Sequence, residues 1–121
     1  MHYRETVVWR KAMDVVREVY RLAPRLPKAE IYGLRSQLTR AAVSVSANIA
    51  EGWTRESVRE KRQFLSVAHG SLAELETLLT ICEEAGFFDA YSTGLARDRI
   101  DEVSRILTTM RRNRRDRKMP A

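Results

Sequence analysis

"RAAVSVSANIAEGW", from Arg40 to Trp53, is the stretch on which the architecture turns. It holds four Ala, two Ser and one Asn, with Arg40 and Glu51 as its charges. Proline is absent and its glycine stands near the end, so it reads as helix. A surface helix usually carries one apolar face and one charged face. On a wheel of about 100° per residue, Leu34, Leu38, Ala41, Ala42, Val45 and Ile49 share one arc. Gln37, Arg40, Ser44, Asn48, Glu51 and Arg55 form a polar stripe beside it. Val43, Ala47 and Ala50 occupy the far side, which is small and apolar where water would favour charge.

Working outward, the chain has 121 residues, the length of one domain. That suffices for a core without disulfides. The first helix spans about Thr6 to Leu22, with Val8, Ala12, Val15, Val16, Val19 and Leu22 at helical spacing. Pro24 and Pro27 end it. The second spans about Ala29 to Trp53. Ser57 and Glu60 form a capping box for a third helix, which reaches Glu84 and stops at Gly86. Ser92 or Thr93 caps a fourth, striped by Leu95, Ile100, Val103, Ile106, Leu107 and Met110. β-branched residues never alternate with polar ones for long. Four long helices with short connections predict an all-α, antiparallel up-down-up-down four-helix bundle over residues 1–110. Residues 111–121 read as a basic, flexible C-terminal tail.

One small bundle cannot cover every face of one of its helices. Val43, Ala47 and Ala50 therefore predict an interface with a second copy of the chain. The alternative is that these small residues are ordinary surface. For the polar stripe, a hairpin turning near Arg55 to Ser57 sets Arg40 opposite about Leu72. Arg40, Ser44, Asn48, Glu51, Ser71 and Glu74 are expected to form a network, with Arg40 pairing Glu74. Such a network either fixes helix register or binds a ligand.

The formal charge is +6, and "RRNRRDRK" from Arg111 to Lys118 carries +5 of it. Arg111, Arg112, Arg114, Arg115, Arg117 and Lys118 are the candidate nucleic-acid-binding residues. No aromatic residue interleaves with them, so base stacking is not indicated. A solvated, frayed C-terminus is the competing reading. Catalytic chemistry is not indicated. His2 is at the start, and His69 falls outside the apolar arc of its helix, as an isolated surface histidine would. The spacings that build metal sites, and the glycine loops that cradle phosphate, are missing. Cys82 lies on an apolar arc and reads as core. The expectation is a non-enzyme with no cofactor and no metal. A single cysteine, no signal-peptide pattern and no membrane-length apolar run point to the cytoplasm, with no membrane partner.

The same residues carry a resemblance. Arg40, Ala41, Ala42 and Ser44, then Asn48, Ile49, Glu51 and Gly52, fill one pattern. Phe64, Leu65, Ala68, Gly70, Ser71, Leu72 and Glu74 fill a second, and "VVWRKAM" at Val7 to Met13 a third. Together these resemble the four-helix-bundle proteins encoded in 23S ribosomal RNA intervening sequences. The resemblance covers nearly the whole chain and is most specific in helices two and three. It implies an up-down bundle that assembles as a ring, typically a homopentamer. It also implies kinship with the accessory proteins of diversity-generating retroelements, basic pentamers that bind nucleic acid and a reverse transcriptase.

Two functions follow as expectations. One is an oligomeric scaffold that binds RNA or DNA without sequence preference through its basic tails. The other is an adaptor ring that docks a partner protein, such as a nucleic-acid-processing enzyme. The adaptor would use Trp9, Tyr32, Trp53, Phe87, Phe88 or Tyr91 as aromatic anchors.

Overall fold

Thr6 joins a short 3-10 turn, Tyr3–Glu5, to the first helix. Its hydroxyl accepts the Trp9 amide at 3.2 Å and donates to the Tyr3 carbonyl at 2.7 Å. Helix α1 then runs Val7–Leu22. The computed structural model describes the backbone of residues 1–118 and the side chains of residues 1–113. Past α1, Ala23–Arg25 and Lys28–Glu30 are short 3-10 turns. Helix α2 spans Leu34–Thr54, starting five residues later than the periodicity predicts. The reason is local. Glu30 folds back so that its carboxylate accepts the Leu34 amide at 3.1 Å, which holds residues 30–33 out of the helix and caps α2 from outside.

Helix α3 spans Val58–Glu84, and Ser57 caps it by accepting the Glu60 amide at 3.1 Å. Gly86 ends it with φ +81°, a left-handed conformation that glycine adopts without a Cβ clash. Helix α4 spans Ala90–Lys118. Its cap is Asp89, which accepts the Ser92 amide at 2.7 Å, and not Ser92 or Thr93 as the sequence suggests. These hydrogen bonds from Ser92 hold the Asp89 carboxyl below its ordinary range. Helical backbone continues from Met110 through Arg111 without a break, across the boundary at which a tail is expected.

Among the described residues there are four α-helices and no strand. Each helix packs on two neighbours around a square, α1 on α2 and α4, and α3 on α2 and α4, with no close approach across the diagonals. Neighbours run antiparallel. Along α2 and α3, Gly52 meets Phe64 and Ser44 meets Ser71. Along α3 and α4, Glu83 pairs with Arg97 and His69 with Arg111. Along α1 and α4, Lys11 pairs with Glu102 at 2.8 Å while Arg25 reaches Ser92. The core is one cluster drawn from all four helices, with Val15, Leu38, Leu72, Leu75, Ile100 and Leu107 at its centre. Leu95 is a correction to the predicted stripe: it is 44% exposed, while Thr93 and Ala96 are buried. Helix α4 begins at Ala90, before the Ser92 or Thr93 cap that was expected, and its inward arc runs through Thr93, Ala96, Ile100, Val103 and Leu107, which leaves Leu95 beside it. Cys82 is buried, and burial pushes its thiol up. No helix among the described residues is long and apolar enough to cross a membrane.

Candidate nucleic-acid interface

Antiparallel packing brings the N-terminal half of α3 against the C-terminal half of α4. On α3, residues 62, 66 and 69 recur at helical spacing, and on α4 so do 104, 108 and 111. The two faces meet. His69 Nε2 lies 3.0 Å from Ser104 Oγ, and Arg111 Nη1 lies 3.0 Å from His69 Nδ1. Arg111 Nη2 also donates to Ser66 Oγ at 3.5 Å. Around this junction is an open cavity of about 330 Å³ lined by Arg62, His69, Thr108, Arg111 and Arg112.

The geometry fixes the histidine's state. A guanidinium can only donate. His69 Nδ1 must therefore accept, so the imidazole is neutral and its proton sits on Nε2, directed at Ser104. Partial burial, and next the charge of Arg111, hold the His69 pKa below its ordinary value, while Glu76 pulls the other way. The isolated surface histidine of the sequence reading is therefore corrected: His69 is half-buried and bonded through both ring nitrogens. Sequence reasoning missed it because the pairing of α3 with α4 sets these contacts, and no local pattern announces that register.

Among the described residues, the cavity is lined by cations with no carboxylate beside them. Arg17, Arg21, Arg97, Arg99 and Arg105 each hold a carboxylate. Among the described residues, no ion pair involves Arg62, Arg111 or Arg112. Of the six predicted binding residues, Arg111 and Arg112 thus stand at the cavity, and Arg62 joins them from α3. The side chains of Arg114, Arg115, Arg117 and Lys118 lie outside the described residues.

The predicted polar network divides. Ser44 Oγ is 2.8 Å from Ser71 Oγ, and Asn48 Nδ2 donates to Ser44 O at 2.8 Å and Ser44 Oγ at 3.0 Å. Ser71 Oγ donates to the Val67 carbonyl at 3.0 Å. Each hydroxyl has one proton, so the donors run in one order: Asn48 to Ser44, Ser44 to Ser71, Ser71 to Val67. This chain stitches α2 to α3. Arg40 and Glu74 line one open pocket beside it but form no ion pair within 4.0 Å, and Glu51 pairs with Arg55 at 3.8 Å instead. Replacing Ser71→Ala removes the acceptor of Ser44 and is expected to cost about 1 kcal/mol, read as a lowered urea midpoint. Glu74→Ala, with no pair to lose, should leave that midpoint unchanged.

The far face of α2 is uncovered by the chain's own helices. Val43 is 42% exposed, Ala47 is exposed and Ala50 is half-buried. Tyr20 of α1, 53% exposed, flanks Val43. The aromatic anchors also sort. Phe88 is core, Trp9 and Phe87 pack against the core, and the Trp53 indole donates to the Met1 carbonyl. Tyr32 and Tyr91 are almost fully exposed, at the end of the bundle opposite the basic cavity. Among the described residues, no three His, Cys, Asp or Glu side chains converge as a metal site.

A family model described as "23S rRNA-intervening sequence protein" matches residues 4–109. The chain is also similar to a crystal structure of a protein of unknown function from the S23 ribosomal protein family, from Bacteroides thetaiotaomicron VPI-5482. That likeness has a TM-score of 0.80 at 19% identity, over 87% of this chain and 98% of the other. It speaks to the fold. No curated protein matches.

Proposed function

The chain belongs to the 23S rRNA-intervening sequence protein family, and we propose that it is a non-enzymatic, oligomeric four-helix scaffold that binds nucleic acid through one basic end. The observation that carries this reading is the cavity in which Arg62, Arg111 and Arg112 converge without a carboxylate partner among the described residues. The arginine-rich end of α4 extends the same charge. In a cytoplasmic ring of several copies, typically five in proteins of this kind, each basic end is a weak contact and the ring adds them by avidity. Recognition falls on the phosphate backbone, so RNA and DNA of one sequence bind alike.

Salt tests this. Binding of a labelled single strand, followed by anisotropy, is expected to fall with salt at a log–log slope of about −4, as for six phosphates contacted by one chain. A strand that does not bind, or binds equally at low and high salt, defeats the proposal. The exposed Tyr32 and Tyr91 favour a second reading, an adaptor whose opposite end docks a protein through aromatic contacts that survive high salt.

A further inference from the structure

We propose that the α3–α4 cavity is a seat for a single phosphate group, held by Arg62, Arg111 and Arg112, and that His69 makes its grip stronger as pH falls. In the reading above, on which this rests, the phosphate is one diester of a nucleic-acid strand.

The seat is built from two helices, so it is a defined place and not only a run of charge along α4. Arg62 comes from α3, while Arg111 and Arg112 come from α4. The Thr108 hydroxyl at the cavity wall already donates to the Ser104 carbonyl at 2.8 Å. The guanidinium groups are therefore the donors left for an anion, and their planar forks suit phosphate oxygens. Among the described residues, no acidic side chain lines the cavity.

His69 sets the pH dependence. In its neutral form it accepts from Arg111 through Nδ1, which ties one of the guanidinium donors to the protein. On protonation Nδ1 becomes a donor, and the bond to Arg111 must break. The Ser104 contact survives, since Nε2 donates in both states. Two things then change in the cavity: the Arg111 Nη1 donor is released, its Nη2 still reaching Ser66, and a fourth positive charge appears. The charged groups facing His69 are Arg111 and Arg112 from α4, and Arg62 and Glu76 from its own helix. Partial burial, and next the charge of Arg111, favour the neutral imidazole, while Glu76 opposes them. An anion there reverses that balance. By linkage, bound phosphate raises the histidine's pKa, and affinity rises as pH falls through it.

The test uses the full chain and a short oligothymidylate lacking a terminal phosphate, with a pH-insensitive dye. Neither the strand nor the dye then titrates near neutrality. Anisotropy is read at constant salt between about pH 7.5 and pH 5.5, the range in which histidine changes charge. Wild type is expected to bind more tightly at the acid end. His69→Gln is expected to lose that gain, since glutamine keeps an acceptor and a donor but does not charge. Arg62→Gln, outside the arginine-rich run, is expected to weaken binding about tenfold. If both variants follow wild type across the range while glutamine at 114, 115, 117 and 118 abolishes binding, the seat is wrong and nucleic-acid binding stands. If no strand binds, the test passes to inorganic phosphate, with the imidazole resonance of His69 as readout; only His2 accompanies it in the spectrum. A phosphate-induced rise in the pKa of His69, lost in Arg62→Gln, keeps the seat while the nucleic-acid reading fails. An unmoved resonance overturns the seat.

Discussion

Ala47→Glu is expected to reduce the assembly to single chains of 14.0 kDa, measured as mass by light scattering or sedimentation. Position 47 stands in the middle of α2, on the face that no other helix of the chain covers. For an isolated chain the change is mild. Glutamate is a good helix former, and an exposed substitution usually moves stability by about 0.5 kcal/mol or less. In an interface between copies the same carboxylate loses its water and finds no arranged partner, which costs several kcal/mol per buried charge. The substitution thus separates two states of one surface. Helix content by circular dichroism should stay at the wild-type level while mass falls. A mutant of unchanged mass would show that Ala47 is ordinary surface, and the ring would then need a different face.

The caps and stops were readable because they are local. Ser57 and Gly86 act within a few residues of themselves, and each does so where the sequence placed it, while Thr6 caps α1 at the point from which a helix was expected. Glu30 and Asp89 were harder to read. Both cap from positions that a count of apolar spacing assigns to a helix interior or passes over. The small far face of α2 was readable as an absence of charge, and its exposure in the single chain agrees with that pattern. The basic cavity was half-readable. Arg111 and Arg112 announce themselves by number, whereas Arg62 and His69 gain their meaning from α4 lying across them. Register between helices is a tertiary fact, set by the whole core. The polar stripe divides for the same reason: Ser44 and Ser71 have short side chains whose reach leaves little choice, while Arg40 and Glu74 are long, exposed and free to remain in water. Exposed pairs of that kind bring little net stability.

Gly52→Leu tests the junction on which the α2–α3 hairpin depends. A Cβ at position 52 would stand 3.0 Å from Phe64 Cβ and 3.6 Å from the Lys61 carbonyl. The Lys61 ammonium, in turn, donates to the Trp53 carbonyl at 3.0 Å and the Gly52 carbonyl at 3.4 Å, closing the C-terminal end of α2 with a positive charge. Helix propensity alone favours leucine over glycine by about 0.8 kcal/mol. Overpacking opposes it, because the added side chain must push α3 away from the carbonyls that Lys61 caps. The expected net result is a loss of about 1–3 kcal/mol, seen as a lowered urea midpoint at unchanged slope and fixed protein concentration. Gly70 supplies the control within the same helix pair. Nothing lies within 4 Å of a Cβ placed there, so Gly70→Ala should follow propensity and raise the midpoint. Were both substitutions to stabilise, α2 and α3 would be further apart at Gly52 than 3.0 Å allows, and the glycine would owe its place to something other than the close approach of the two helices.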